Sequence, residues 1–190
     1  MKKLYIILFT FLFVFVSCNE HTPQPKGYSR IDRSKTELMK FDYKYFSFLY
    51  SADSKVEEVK KEASEGYWFN INYPAYNAII YCTYLSIDSK VLNKALEDSY
   101  QLAYSQSLKA NAIQQSLFED SLHNKTSIIY DIKGMVASPV QFYVTDNQSH
   151  FLRGSMYFDQ TFVPDSVAPI VEFLRDDIRG IIESLEWKKK

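Results

Sequence analysis

The sequence predicts an α+β fold: mainly an antiparallel β-sheet, packed by one long central helix and one C-terminal helix. Residues 140–145 and 151–158 alternate apolar and polar side chains with the period of two that is typical of β-strands. Residues 146–149, which lie between them, are turn formers (DNQS), so the two strands are predicted to form a hairpin. Residues 167–185 then carry an apolar stripe with the 3.6-residue period of a helix that covers one face of a sheet.

The first residues are typical of an export signal. Lys2 and Lys3 precede an apolar run over residues 4–16, which is too short for a comfortable membrane span. The run ends in FVSC, and this resembles the bacterial lipobox, whose cysteine is acylated and becomes the first residue of the mature protein. Phe15 stands where that motif usually has leucine. We therefore predict a lipoprotein signal peptide over residues 1–17 and a lipid anchor on Cys18.

The rest of the chain is predicted to be a flexible tether over residues 18–26, which is polar and contains proline, and a single α+β domain over residues 27–190. Strands are expected over 45–50, 68–73 and 78–85. The last of these is apolar on both faces and is therefore predicted to be central in the sheet.

Two further segments precede the hairpin. The charged residues 55–65 are expected to form a short helix or an exposed loop, and residues 89–119 a long helix with Asp88 among its candidate N-caps. A polar connection over 120–126 leads into a strand with Ile128, Ile129 and Ile132.

The beginning of the C-terminal helix is also predictable. Ser166 is the expected N-cap, and it would place Pro169 in the first turn, where a missing N–H costs little.

Composition excludes one class of partner. Without residues 1–17 the chain has 20 basic and 23 acidic side chains, a net charge of −3, and no basic patch. This balance argues against nucleic acid. If Cys18 carries lipid, Cys82 is the only free thiol left, and an internal disulfide is excluded. Cys82 is predicted to be a buried, inert thiol.

No catalytic pattern stands out. Ser138, Asp146 and His150 could be assembled into a hydrolytic triad, but Ser138 lacks the Gly-x-Ser-x-Gly turn that exposes a nucleophile. His21, His123 and His150 lie far apart without the spacing of metal ligands. We predict no catalytic residue, no metal and no cofactor.

One strand face is a candidate for binding a protein. If the C-terminal helix covers the opposite face, the hairpin presents Tyr143, Phe151, Arg153 and Tyr157, with His150 at the rim. Arg and Tyr are enriched among the residues that dominate binding energies at interfaces. The alternative is an ordinary exposed strand face on which an arginine stacks against aromatic rings.

The chain resembles the gliding-motility lipoprotein GldD family of Bacteroidota. Besides the lipobox, the resemblance is carried by six segments in family order: 25–28 (PKGY), 72–78 (NYPAYNA), 137–146 (ASPVQFYVTD), 150–154 (HFLRG), 164–169 (PDSVAP) and 184–187 (SLEW). The resemblance implies a non-enzymatic cell-envelope lipoprotein that is needed for gliding, is associated with type IX secretion and has no known catalytic residues. The expected sheet and helices are also similar to the PsbP-like α+β fold.

These observations give three functional hypotheses. The first is a lipid-anchored accessory or assembly component of the gliding and type IX secretion machinery, whose partners are the membrane and other envelope proteins. A single acid, Glu20, follows Cys18, which favours the periplasmic side of the membrane. The second is a binding module for an envelope glycan or other small ligand, and the third is an envelope hydrolase.

Overall fold

The computed structural model describes residues 37–59, 66–159 and 164–189. The predicted signal peptide, Cys18, the tether and the beginning of the predicted domain lie outside these ranges. The strands of the described part are β1 (Leu38–Asp42), β2 (Phe46–Ser51), β3 (Lys55–Val59), β4 (Gly66–Tyr73), β5 (Ala78–Ser86), β6 (Ala110–Asp120), β7 (Lys125–Gly134), β8 (Val140–Thr145), β9 (His150–Phe158) and β10 (Glu186–Trp187). Its helices are α1 (Ser89–Tyr104) and α2 (Pro164–Ser184).

A seven-stranded antiparallel sheet is the centre of the fold, with the order β3-β4-β5-β9-β8-β7-β6. Strand β5 lies between β4 and β9, which confirms the predicted central strand. Its Cys82 is 2% exposed, and burial raises the pKa of the thiol, so it stays protonated and unreactive. The α+β class and the hairpin β8–β9 are confirmed as well.

One hydrophobic core lies between this sheet, helix α2 and a small sheet of order β1-β2-β10. The apolar stripe of α2 supplies Leu174, Ile178, Ile181 and Ile182, as predicted, and aromatic rings of β2 and β4 pack beside it. The two-residue strand β10 pairs with β2 and so ties the end of the chain to the small sheet.

A second core lies beneath helix α1, where Ala95 and Ala103 of the helix belong to one buried cluster with Tyr130, Tyr143 and Phe151 of the sheet. Asp88 is the N-cap of α1, as expected. Its carboxylate accepts hydrogen bonds from the backbone N–H groups of Lys90 and Val91, both at 2.9 Å.

The prediction of one helix over residues 89–119 is wrong beyond Tyr104. Residues 110–120 instead form the edge strand β6, which pairs with β7 along its whole length. Apolar residues at 110, 113 and 117 suit a helical stripe, but they suit a half-exposed edge strand equally well. Pairing with β7 decides between the two, because tertiary contacts override weak local preferences.

The prediction of a short helix or an exposed loop for the charged segment is also wrong over residues 55–59. Residues 55–59 form the strand β3 at the opposite edge of the sheet, and residues 60–65 lie outside the described ranges. Charged side chains are common on edge strands because they prevent further strand pairing.

Helix α2 begins earlier than predicted, at Pro164. Ser166 is therefore the third helical residue rather than the N-cap, and Pro169 lies in the second turn. The fixed φ of Pro164 suits the first helical position, a preference that a serine two residues later does not outweigh. No helix in the described part of the chain is both long and apolar enough to cross a bilayer.

Candidate functional site

The turn between β8 and β9 is held by Asp146. One oxygen of its carboxylate accepts the backbone N–H groups of Gln148, Ser149 and His150 at 2.8–2.9 Å. Burial alone would raise the pKa of Asp146, but these hydrogen bonds stabilise the carboxylate and lower the pKa below its usual value. Thr145 Oγ1 donates to the carbonyl oxygen of His150 at 2.7 Å. The turn therefore places His150 in one defined position.

His150 belongs to an aromatic cluster in the interior. Its Nδ1 is 2.8 Å from the hydroxyl oxygen of Tyr84, and its ring is stacked on Trp187 with a centroid separation of 5.1 Å and an interplanar angle of 8°. The residue is 4% exposed. The prediction that His150 lies at the rim of an exposed face is wrong, because β10 brings Trp187 over it.

A groove of about 690 Å³ lies beside this cluster. Its lining mixes aromatic, basic and acidic residues, namely His123, Asp146, Glu186, Trp187, Lys188 and Lys189, and Lys188 Nζ is 2.7 Å from Asp42 Oδ1. Nδ1 of His123 is 2.7 Å from Asp120 Oδ2. A groove with an indole ring and polar side chains of both charges can bind a sugar-like molecule.

Beneath this end of the domain, Lys125 is a structural residue. It is 7% exposed, and its ammonium donates to the carbonyl oxygens of Ile182 and Glu183 at 3.2 and 2.7 Å. These carbonyls belong to the last turn of α2, where a cation satisfies free acceptors and interacts favourably with the helix dipole.

The predicted binding face is divided by helix α1. Tyr143 and Phe151 lie beneath the helix, 7% and 0% exposed, with their rings stacked at 5.4 Å. The expectation that they are exposed is wrong. The predicted binding face took account of the C-terminal helix on the opposite side of the sheet but not of where the predicted central helix would lie, and that helix, α1, packs on this face.

Arg153 and Tyr157 lie farther along β9 and are half-buried. Ser99 and Leu102 of α1 and Tyr130 and Gln141 of the sheet line a small space beside Arg153. Burial lowers the pKa of the Arg153 guanidinium, and this effect is opposed by the nearby Asp98. Arg153 is therefore half-buried beside the edge of α1.

Beyond α1 the sheet surface is open. Arg153 and Ser155 lie opposite Thr83 and Tyr81 of β5, and Tyr157 packs edge-on against Tyr81 at 5.5 Å between ring centroids. Tyr81 is 47% exposed. We call Tyr81, Arg153, Ser155 and Tyr157 the open face. Tyr81 was not among the predicted binding residues, because its strand is apolar on both faces and was therefore expected to be buried.

The structure does not assemble the hydrolytic triad. Ser138 is fully buried before β8, and its hydroxyl donates to the carbonyl oxygen of Val140. Asp146 and His150 lie beyond the opposite end of that strand. Among the described residues, no group of three or more His, Cys, Asp or Glu side chains could hold a metal ion. His21 lies outside those residues.

The family model for the gliding motility lipoprotein GldD matches residues 18–187. The chain belongs to the GldD family. This confirms the resemblance seen in the sequence, and it makes the chain a gliding-motility lipoprotein associated with a membrane. A search of curated proteins finds no match.

Solved structures support the fold of this GldD family member. The solution structure of cyanobacterial PsbP (CyanoP) from Synechocystis sp. PCC 6803 is similar, with a TM-score of 0.51 and 9% sequence identity. The similarity covers 87% of this chain and 100% of that chain. At this identity it shows the fold alone, and it confirms the PsbP-like α+β class.

Proposed function

We propose that this GldD family member is a non-enzymatic component of the gliding and type IX secretion machinery. Acyl chains on Cys18 hold it in the membrane, and the tether over residues 18–26 gives the domain reach into the periplasm. The matched family range begins at Cys18, and Glu20 is the only acid in the tether. The first observation supports a lipid anchor on Cys18, and the second favours the periplasmic side.

We infer that this protein docks onto another envelope protein through the open face. Tyr81 and Tyr157 present adjoining rings on the same face of the sheet as Arg153. Tyrosine and arginine supply large contact areas and directional hydrogen bonds at interfaces, and a few such residues dominate binding energies. Because Arg153 is already half-buried beside α1, its side chain has less conformational freedom to lose when a partner binds.

Arg153→Ala and Tyr157→Ala should each accumulate like the parent but fail to restore gliding or secretion to a deletion strain. Truncating a central interface residue typically weakens binding by about 2 kcal/mol or more. The measurements are colony spreading and the amount of protein in the envelope.

Tyr100→Ala is the matched control for these variants. Tyr100 is also an exposed tyrosine, 44% accessible, whose ring stacks on that of Tyr104. It lies on α1, away from the open face, so its variant should restore gliding fully. Full complementation by the Arg153 and Tyr157 variants would show that the open face is ordinary surface. Loss of the variant proteins would show that the two residues are structural.

A second candidate is binding of an envelope glycan or other small ligand in the groove beside Trp187. The indole ring, His123 and two lysines line a volume within the usual range for ligand sites. A change in tryptophan fluorescence on adding such a glycan, absent in Trp187→Phe, would favour this candidate.

A further inference from the structure

Strand β6 is an unprotected sheet edge. Within the described ranges it is hydrogen-bonded to β7 alone, which leaves its other side unpaired. From Ala110 to Phe118 it carries no charged residue, proline or glycine. The opposite edge strand, β3, has the sequence KVEEV, with three charges in five residues. Charges of that kind are the usual protection against pairing with another strand, and β6 lacks them over nine residues.

Exposed apolar side chains are concentrated along the same edge. Leu117 and Phe118 of β6 are 60% and 40% exposed. Leu108 and Met135 beyond one end of the strand, and Leu122 beyond the other, are exposed still further. Exposed apolar side chains beside an unpaired strand are typical of an edge that another strand covers.

We propose that β6 pairs with β6 of a second copy of this chain, antiparallel and related by a two-fold axis. The opposite charges at the two ends of β6 favour antiparallel pairing with a second copy. Lys109 precedes the strand, and Glu119 and Asp120 end it. An antiparallel pair brings Lys109 of each copy near Glu119 of the other, whereas a parallel pair would place Glu119 against Glu119.

The side chains also select a register. An axis through Gln115 places Ile113 opposite Leu117 and Ala112 opposite Phe118, so every exposed apolar side chain of the strand faces another apolar one. Shifting one copy by two residues places Leu117 opposite Gln115 or Asn111 instead. The irregularity between Ala110 and Ala112 marks where regular pairing ends. The product is a continuous sheet across two copies, with the same surface used by each.

A single cysteine at the axis tests the register. In the full-length protein in its membrane, Gln115→Cys should form a disulfide-linked dimer on mild oxidation, because residue 115 lies opposite itself. Cross-strand neighbours are close enough for a disulfide. Gln115 is exposed, and its side chain donates one exposed hydrogen bond to Tyr104, so the change should not affect folding. The native Cys82 is buried and does not compete.

Gln114→Cys is the matched control. It is an adjacent, exposed glutamine on the opposite face of the strand, and the register places it opposite Ser116 rather than itself. It should therefore give no disulfide-linked dimer. Adding Leu117→Lys to Gln115→Cys should abolish the dimer, because it places a charge against Ile113 of the other copy. Three results would each overturn the proposal. They are the absence of a disulfide-linked dimer with Gln115→Cys, equal amounts of that dimer with Gln115→Cys and Gln114→Cys, and a disulfide adduct with a different protein.

Discussion

Replacing Gly154 by alanine should destabilise the domain more than other changes on the sheet surface. A Cβ atom at this position would lie 2.4 and 2.6 Å from two ring carbons of Phe142 and 3.2 Å from a methyl carbon of Ile80. Phe142 and Ile80 are themselves buried in the main core, so moving the ring would disturb its packing. Overpacking of a core typically costs about 1–3 kcal/mol. Thermal denaturation should show a fall in Tm of several degrees.

Gly180→Ala is the control for this experiment. Gly180 lies on the exposed side of α2, and a Cβ atom there would have no neighbour within 4 Å. Alanine favours a helix by up to about 1 kcal/mol over glycine, so this variant should melt at or above the temperature of the parent. If Gly154→Ala melts like the parent, the close approach of Phe142 to β9 does not exist in solution.

Replacing Cys18 by alanine should abolish lipid labelling of the protein. Each buried CH₂ of an acyl chain contributes about 0.8 kcal/mol, so two or more chains hold a protein firmly in a membrane. Cells fed an alkyne-bearing palmitate should label the parent, and Cys18→Ala should accumulate as an unlabelled precursor that keeps its signal peptide. Gel mobility and labelling measure both effects.

Cys82→Ala provides the comparison, since the chain has only two cysteines. Cys82 is buried in β5, out of reach of an acylating enzyme, so its variant should be labelled as strongly as the parent. Labelling of Cys18→Ala at the level of the parent would contradict the lipid anchor, and with it the proposed placement in the envelope.

The sequence predicted those elements whose pattern matches only one structure. The hairpin β8–β9 combines period-two alternation with a run of turn formers, and α2 keeps a helical stripe over most of its length. The prediction for residues 110–120 was wrong because the apolar spacing at 110, 113 and 117 is compatible with the period of a helix and with that of a strand. Only the pairing of these residues with β7, a contact between separate segments, distinguishes them.

The candidate site was harder to predict for a similar reason. The alternation of β9 correctly places Phe151, Arg153 and Tyr157 on one face. It cannot indicate how far along that face a helix extends, and α1 covers Phe151 while leaving Tyr157 half-exposed. The stack of His150 on Trp187 joins residues from β9 and the short β10, and two residues carry no periodic signal.

Photo-crosslinking from position 157 in living cells tests the central claim, docking through the open face, most directly. A photoreactive amino acid in place of Tyr157 should give one adduct of defined mass with another envelope protein. The same amino acid in place of Tyr100, which is exposed on α1, should give none. No adduct from position 157, or the same set of adducts from both positions, would contradict docking through this face.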